Sequence, residues 1–260
     1  MMMRVRVLTP VLAISILIIS ACTEDESAVR MPVTTDSELA LQSYETGMAA
    51  FDQLKWDMAW HNFEYAIQED SDFFMAHFWM YFLTSTKSKK IAEKAFQSKR
   101  ELSDGEDLIR TSLKYSLDGQ DEKVVESLRK VVDLYPGDPH AHKILYIMQL
   151  QNMKDPEGAL ESILRAVKEI PDYPYAYNHL GYAYMDLEEF ELAEEALDNF
   201  IRLAPTEPNP YDSKGDFYMK TEQFGKAFES YMKAYEMDSN FEVSKKKAIK
   251  AKQMMEKVVA

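Results

Sequence analysis

The stretch PYAYNHLGYAYMDLEEFELAEEALDNFIRLAPTE (174–207) and the one after it, PNPYDSKGDFYMKTEQFGKAFESYMKAYEMDSNF (208–241), read as one unit written twice. Tyr177, Leu180, Gly181 and Tyr184 in the first are answered by Tyr211, Gly215 and Tyr218 in the second, and Ala193 by Ala227. Gly181 and Gly215 stand 34 residues apart, as do Ala193 and Ala227. Ala193, Ala196, Leu197, Phe200 and Ile201 fall at i, i+3, i+4, i+7 and i+8 with acids between them, the stripe of an amphipathic helix. Pro205 cannot sit in a helix interior, so it ends that helix and turns the chain. A unit of this length cannot bury its stripe alone, so copies stack.

The period and residue order resemble the tetratricopeptide pattern, W-x2-L-G-x2-Y, then A-x3-F, then P. The resemblance implies an all-α fold, a right-handed α-solenoid of about six helix-turn-helix repeats with a C-terminal capping helix. Each repeat would be two antiparallel helices whose backbones meet at small residues such as Gly181 and Ala193, with Tyr177, Leu180, Tyr184 and Leu197 filling the space around them.

Further copies precede these two. Repeat one, 40–73, keeps Gly47, Ala59, Phe63 and Ala66. Repeat two, 74–104, is degenerate: its first helix is aromatic, and Tyr81 takes the glycine position, which sets that helix pair further apart. Repeat three, 105–138, is clearest in its second helix, with Val124, Leu128, Val131 and Leu134. Repeat four, 139–172, runs one residue over the period, and the turn around Asn152–Lys154 is where the extra residue fits. Lys214 in repeat six stands where the pattern wants Leu. Residues 242–260 form a last helix, apolar at Ala248, Ala251, Met254, Met255 and Val258 and basic at Lys245–Lys247, Lys250 and Lys252. It reads as a polar cap, or as a basic surface for self-association with another acidic repeat.

The beginning of the chain reads differently. Arg4 and Arg6 precede an apolar run, Val11–Ile19, too short to span a bilayer. Residues 1–21 read as a signal peptide, outside the fold. Ile19-Ser20-Ala21-Cys22 resembles a bacterial lipobox, which implies that Cys22 becomes the lipidated first residue and anchors the chain in the bacterial outer membrane, on the periplasmic side or at the cell surface. Residues 22–38 read as a flexible acidic tether, few in large apolar residues. The acids after Cys22 either resemble the export signal of surface lipoproteins or only solvate the tether. The solenoid spans 39–241.

Composition excludes several functions. The 260 residues carry 30 basic and 44 acidic side chains, a formal charge of −14, and removing Arg4 and Arg6 makes it −16. Nucleic acid is excluded as a partner, because phosphate neutralisation dominates its binding. The one cysteine is Cys22, which leaves no disulfide framework and no thiolate in the folded part.

The sequence holds no G-x-S-x-G, H-E-x-x-H, Walker or G-x-G-x-x-G motif. His140 and His142 are two apart, so they point to different sides of a helix, short of the three or four converging ligands of a zinc site. The acidic run Asp186–Glu195 reads as a solvated face. No catalytic residue, metal or cofactor is expected, and the chain reads as no enzyme.

The resemblance places the functional surface in the concave groove lined by the first helices. The lining positions are Tyr44, Phe78, Trp79, Lys143, Tyr175, Asn178, His179, Tyr182, Asp186, Asp212 and Asp216. The groove would be aromatic at its N-terminal end and acidic at its C-terminal end. Phe78 and Trp79 read equally as core of an irregular repeat. The carboxylate clamp of chaperone-binding relatives is not matched, since Lys143 and Asn178 stand alone and Asp212 and Asp216 would repel an anion. The expected function is a lipid-anchored adaptor that binds another envelope protein or peptide. The runner-up is a carbohydrate-binding surface lipoprotein of a glycan-uptake system.

Overall fold

The computed structural model describes residues 29–84 and 89–259. The signal peptide, Cys22 and the first part of the tether lie outside the described residues. Among the described residues, six helical hairpins follow one another: α1 (Glu38–Asp52) with α2 (Trp56–Glu69), α3 (Phe74–Leu83) with α4 (Lys89–Phe96), α5 (Asp104–Leu117) with α6 (Asp121–Leu134), α7 (Pro139–Ile147) with α8 (Pro156–Glu169), α9 (Pro174–Asp186) with α10 (Phe190–Leu203), and α11 (Asn209–Lys220) with α12 (Phe224–Met237). One more helix, α13 (Glu242–Val259), packs on α12. Successive helices contact each other along the chain, and no strand occurs among the described residues. The expected all-α solenoid is therefore present.

The small positions do the same job in each clear repeat. A Cβ on Gly47 would lie 2.7 Å from the Phe63 ring, one on Gly181 2.7 Å from Leu197, and one on Gly215 2.5 Å from the Tyr231 ring. Each partner is a buried residue on the second helix of the same hairpin. The close approach, rather than any backbone conformation, selects glycine there.

Turns inside the hairpins share another feature. Leu54, Glu188 and Glu222 each have φ 60°, and Gly119 has φ 68°. The 34-residue step from Glu188 to Glu222 shows that the left-handed residue belongs to the repeat. In repeat four the surplus residue enters a π-helical turn, Met148–Met153, which extends α7 and ends at Lys154 with φ 52°. A π-turn absorbs one extra residue without breaking the helix.

Helix starts are capped by side chains that accept orphan backbone N–H groups. Ser37 caps α1, Ser103 and Glu106 form a capping box on α5, and Asp138 and Asp155 cap α7 and α8 with proline next in sequence. Two of these caps also hold residues 29–37, which the sequence reading assigned to the tether. Met31 N–H donates to Asp138 at 3.2 Å, Thr34 N–H donates to Glu106 at 2.9 Å, and Thr35 Oγ1 donates to Asp70 at 2.6 Å. This strap is pinned by carboxylates from three hairpins, a long-range role that composition does not reveal.

Repeat two contributes core. Phe74, Met75, Phe78 and Trp79 are buried, and Trp79 Nε1 donates to Tyr44 Oη at 3.1 Å. Burial of each such side chain contributes about 1.5–3 kcal/mol. Lys214, the departure from the pattern, is also explained. Its buried Nζ pairs with Asp198 at 2.6 Å and Glu194 at 3.2 Å, both on α10. The acidic run is thus partly a counter-charge for a lysine in a leucine position.

Candidate functional site

The solenoid curls so far that the end of α1 meets α7. Asp52 accepts hydrogen bonds from Lys143 Nζ at 3.0 Å and Tyr173 Oη at 2.9 Å, and lies 3.1 Å from His140 Nε2. Burial alone would raise the Asp52 carboxyl, but the contacts with His140 and Lys143 hold it well below the usual carboxylate range. Burial lowers the Lys143 ammonium, and Asp52 opposes that shift. Lys143 Nζ also sits 4.1 Å above the Phe51 ring, a further cation–π contact.

Beside this network lies a cavity of about 800 Å³. Its apolar walls come from α1, α3, α5, α6 and α7, including Phe51, Phe78, Phe82, Leu128, Ile144 and Ile147. Its polar side carries Lys143, Asn178, His179 and Asn209. Asn178 Oδ1, His179 Nε2 and Asn209 Nδ2 are shielded from solvent without a hydrogen-bond partner. Buried polar atoms are normally paired, and three of the unpaired ones belong to residues on this one cavity, whereas His142 Nδ1 lies elsewhere. Burial pushes the His179 imidazole down to about 3, with the Lys143 charge acting in the same direction. It is neutral at physiological pH, and its ring packs against that of Tyr146, tilted by 37° with centroids 4.8 Å apart.

A second hollow of about 550 Å³ adjoins the C-terminal helix and shares Asn178 and Asn209 with the first. Here α13 inserts Lys247, whose Nζ lies 2.7 Å from Asp212 and 2.8 Å from Asp216. Asp216 also accepts from Tyr182 Oη at 2.6 Å and Tyr231 Oη at 2.7 Å, and Asp212 from Ser244 Oγ at 2.5 Å. Burial raises the Asp212 carboxyl against the pull of Lys247. The acidic end of the groove is therefore occupied by the molecule's own lysine.

The positions expected to line the groove divide accordingly. Phe78, Lys143, Tyr175, Asn178 and His179 line the main cavity. Tyr182 and Asp212 line the second hollow, with Asp216 behind them. Tyr44 and Trp79 are buried in the core around α1 and α3, on the far side of Phe51. Asp186 is exposed, 3.5 Å from Lys220. Tyr175 donates to Glu207 at 2.5 Å.

The sequence reading missed Asn209, Trp56 and Trp60. Asn209 lies at the start of α11, before the positions that the repeat register counts as lining. Trp56 opens α2, is 49% exposed and packs edge-on against Phe51. A tryptophan pair at the start of a second helix was the available signal. Among the described residues, no group of three or more potential metal ligands converges.

Comparison with known proteins agrees with this architecture. The tetratricopeptide repeat family matches residues 174–207 and 209–241. A crystal structure of a thermophilic tetratricopeptide-repeat (TPR) protein from Thermus thermophilus is 17% identical, with a TM-score of 0.51 over 82% of this chain and 98% of that one. Cut9, in the APC/C hetero-tetramer Cut9–Hcn1, is 16% identical, with a TM-score of 0.52 over 82% of this chain but 42% of that one. At these identities the likeness concerns the fold alone. No curated protein matches the chain.

Proposed function

We propose that this chain of tetratricopeptide repeats is a lipid-anchored, non-enzymatic adaptor that holds a segment of another envelope protein in the main cavity. The observation that carries the reading is the set of shielded, unpartnered atoms on Asn178, His179 and Asn209 beside aromatic walls. Most buried polar groups are paired, so three unpaired ones gathered at one cavity favour a polar occupant there. Trp56 at the rim and Trp60 in the wall are of the residue type that anchors interfaces. The test is crosslinking and capture from native membranes with wild type, Asn178→Ala and Trp60→Ala. Both variants are expected to lose the protein that wild type captures. Capture of the same protein by all three overturns the reading.

The anchor rests on the lipobox-like Ile19-Ser20-Ala21-Cys22. Metabolic labelling with an alkyne fatty acid is expected to tag the wild type in the outer membrane and not Cys22→Ser, which should be released from it. Label on Cys22→Ser removes this part of the proposal. A second contact joins copies of the chain. The exposed face of α13 presents Val243 and Ile249 among lysines, on a chain of formal charge −14. Light scattering is expected to show association at low salt that Lys246→Glu with Lys250→Glu abolishes.

A further inference from the structure

Resting on the lipid anchor at Cys22, we propose that the strap sets how the solenoid stands on the bilayer: the edge made by the turns between hairpins faces the lipid, and the main cavity lies at the opposite edge. Residues 29–37 do not run straight into α1. They cross three consecutive turns between hairpins, from the α6–α7 turn back to the α2–α3 turn. Gly137 N–H donates to the Val29 carbonyl at 3.0 Å, and Met31 N–H donates to Asp138. Ser103 Oγ donates to the Pro32 carbonyl at 3.0 Å, and Thr35 Oγ1 donates to Asp70. Met31 is buried, and a Cβ on Gly105 would lie 2.6 Å from it and from the Tyr135 ring, so glycine makes room for the methionine. Arg100 closes the last step, 3.3 Å from Asp36 and 3.1 Å from Asp70.

The chain therefore enters the fold at Val29, beside Gly137 in the middle of this edge, and not at the end of the stack where α1 begins. Val29 stands seven residues after Cys22, a separation of at most about 25 Å at full extension. Glu38, the first residue of α1, stands 16 after Cys22, at most about 58 Å. The strap thus more than halves the reach of the anchor and holds this edge close to the headgroups. The main cavity lies at the other end of the same helices. The strap meets α5 at Ser103 and α7 at Asp138, whereas the cavity meets α5 at Ser116 and α7 at Met148. At about 1.5 Å per residue, the two sites are about 15–20 Å apart along each helix. Trp56, at the rim, follows the α1–α2 turn on the cavity's edge. A bilayer at the strap leaves that rim to proteins arriving from the aqueous side.

The test uses the lipidated protein, purified from membranes and returned to vesicles that carry an acceptor-labelled lipid. A fluorescent non-natural amino acid replaces Asp104 or Asp118, exposed residues at the two ends of α5. The two positions are about 21 Å apart along the helix, and energy transfer to the lipid is expected to be at least about twofold more efficient from position 104 than from position 118. Met31→Glu with Thr34→Pro drives a charge into the methionine site and removes the N–H that donates to Glu106, so it should bring the ratio close to one. An insertion of about 12 Gly and Ser residues between Ser27 and Ala28 touches none of the strap's bonds and should also lower the ratio, because the anchor then reaches further. Melting temperatures identify a strap variant that fails to fold, and the comparison of the two ends needs only the wild-type strap. A native chain without fatty-acid label ends the anchor reading and this proposal with it. Label together with equal transfer from the two ends, or more from position 118, overturns the proposal and leaves the anchor standing. A ratio that survives release of the strap in a folded variant also overturns it, since the strap is then not the cause.

Discussion

Lys143 Nζ and Asp52 Oδ1 meet 3.0 Å apart although 91 residues of chain separate them. The pair joins the first repeat to the fourth, and both side chains are buried. Breaking such a pair strands the remaining charge, whereas replacing both partners with apolar residues does not. Asp52→Ala is expected to cost about 3–5 kcal/mol in urea unfolding. Asp52→Leu combined with Lys143→Met should cost clearly less than that. Equal losses would mean that the pair is not what ties the two repeats.

Lys214 makes the opposite case. Its side chain is 6% exposed, but its partners Glu194 and Asp198 are 45% and 61% exposed. Removing the lysine returns two acids to water and buries no orphan charge. Lys214→Leu, the residue the repeat pattern asks for, is expected to raise stability by about 1 kcal/mol or more, within the range for replacing a desolvated ion pair. A drop in the urea midpoint would show that the two ion pairs outweigh the desolvation of the ammonium.

Glu222 sits at φ 60° with an exposed side chain. The left-handed region costs a non-glycine residue about 1 kcal/mol, and repeat three places Gly119 in an equivalent conformation. Glu222→Gly should therefore raise Tm by about 2–4 °C, despite the extra freedom it gives the unfolded chain. Glu229→Gly, exposed within α12, should lower it, since helical glycine costs about 1 kcal/mol. The same sign for both would remove the turn as the cause.

How much of this was legible follows from the range of each interaction. The contact between Gly181 and Leu197 lies inside one hairpin and recurs with it, so it leaves a periodic signature in the sequence. Asn178 and His179 were legible as groove residues because the register alone puts them on the concave side. The engagement of Asp52 with Lys143 depends on how far the stack curls, which no single repeat encodes, and that closure is why Tyr44 and Trp79 are core. The surplus residue of repeat four was visible as a spacing. Its π-helical form was not, because nothing in Met148–Met153 differs in type from an α-helix. The left-handed residues at Leu54, Glu188 and Glu222 were hidden for the same reason, since their side chains are not those the conformation favours.

His179 gives the last prediction, and its sign runs against that of an ion-paired histidine. Burial first, and the Lys143 charge second, lower its imidazole to about 3 in the folded chain, against about 6.5 unfolded. Its contribution to stability is fully present above about pH 6.5. Below that, the unfolded state binds a proton that the folded state refuses, so stability falls as pH drops toward about 3. Burial lowers His77 and His142 as well, so their losses add. Between about pH 7 and 5 each histidine that stays neutral on folding should remove about 1–2 kcal/mol. Asp52 does not mask this, because its low carboxyl changes charge in the unfolded chain only near about pH 4. Urea unfolding at the two pH values should show the difference, and His179→Phe, which keeps a ring against Tyr146, should reduce it by about one histidine's share. An unchanged pH difference in that variant would mean that the imidazole takes up its proton in the folded chain.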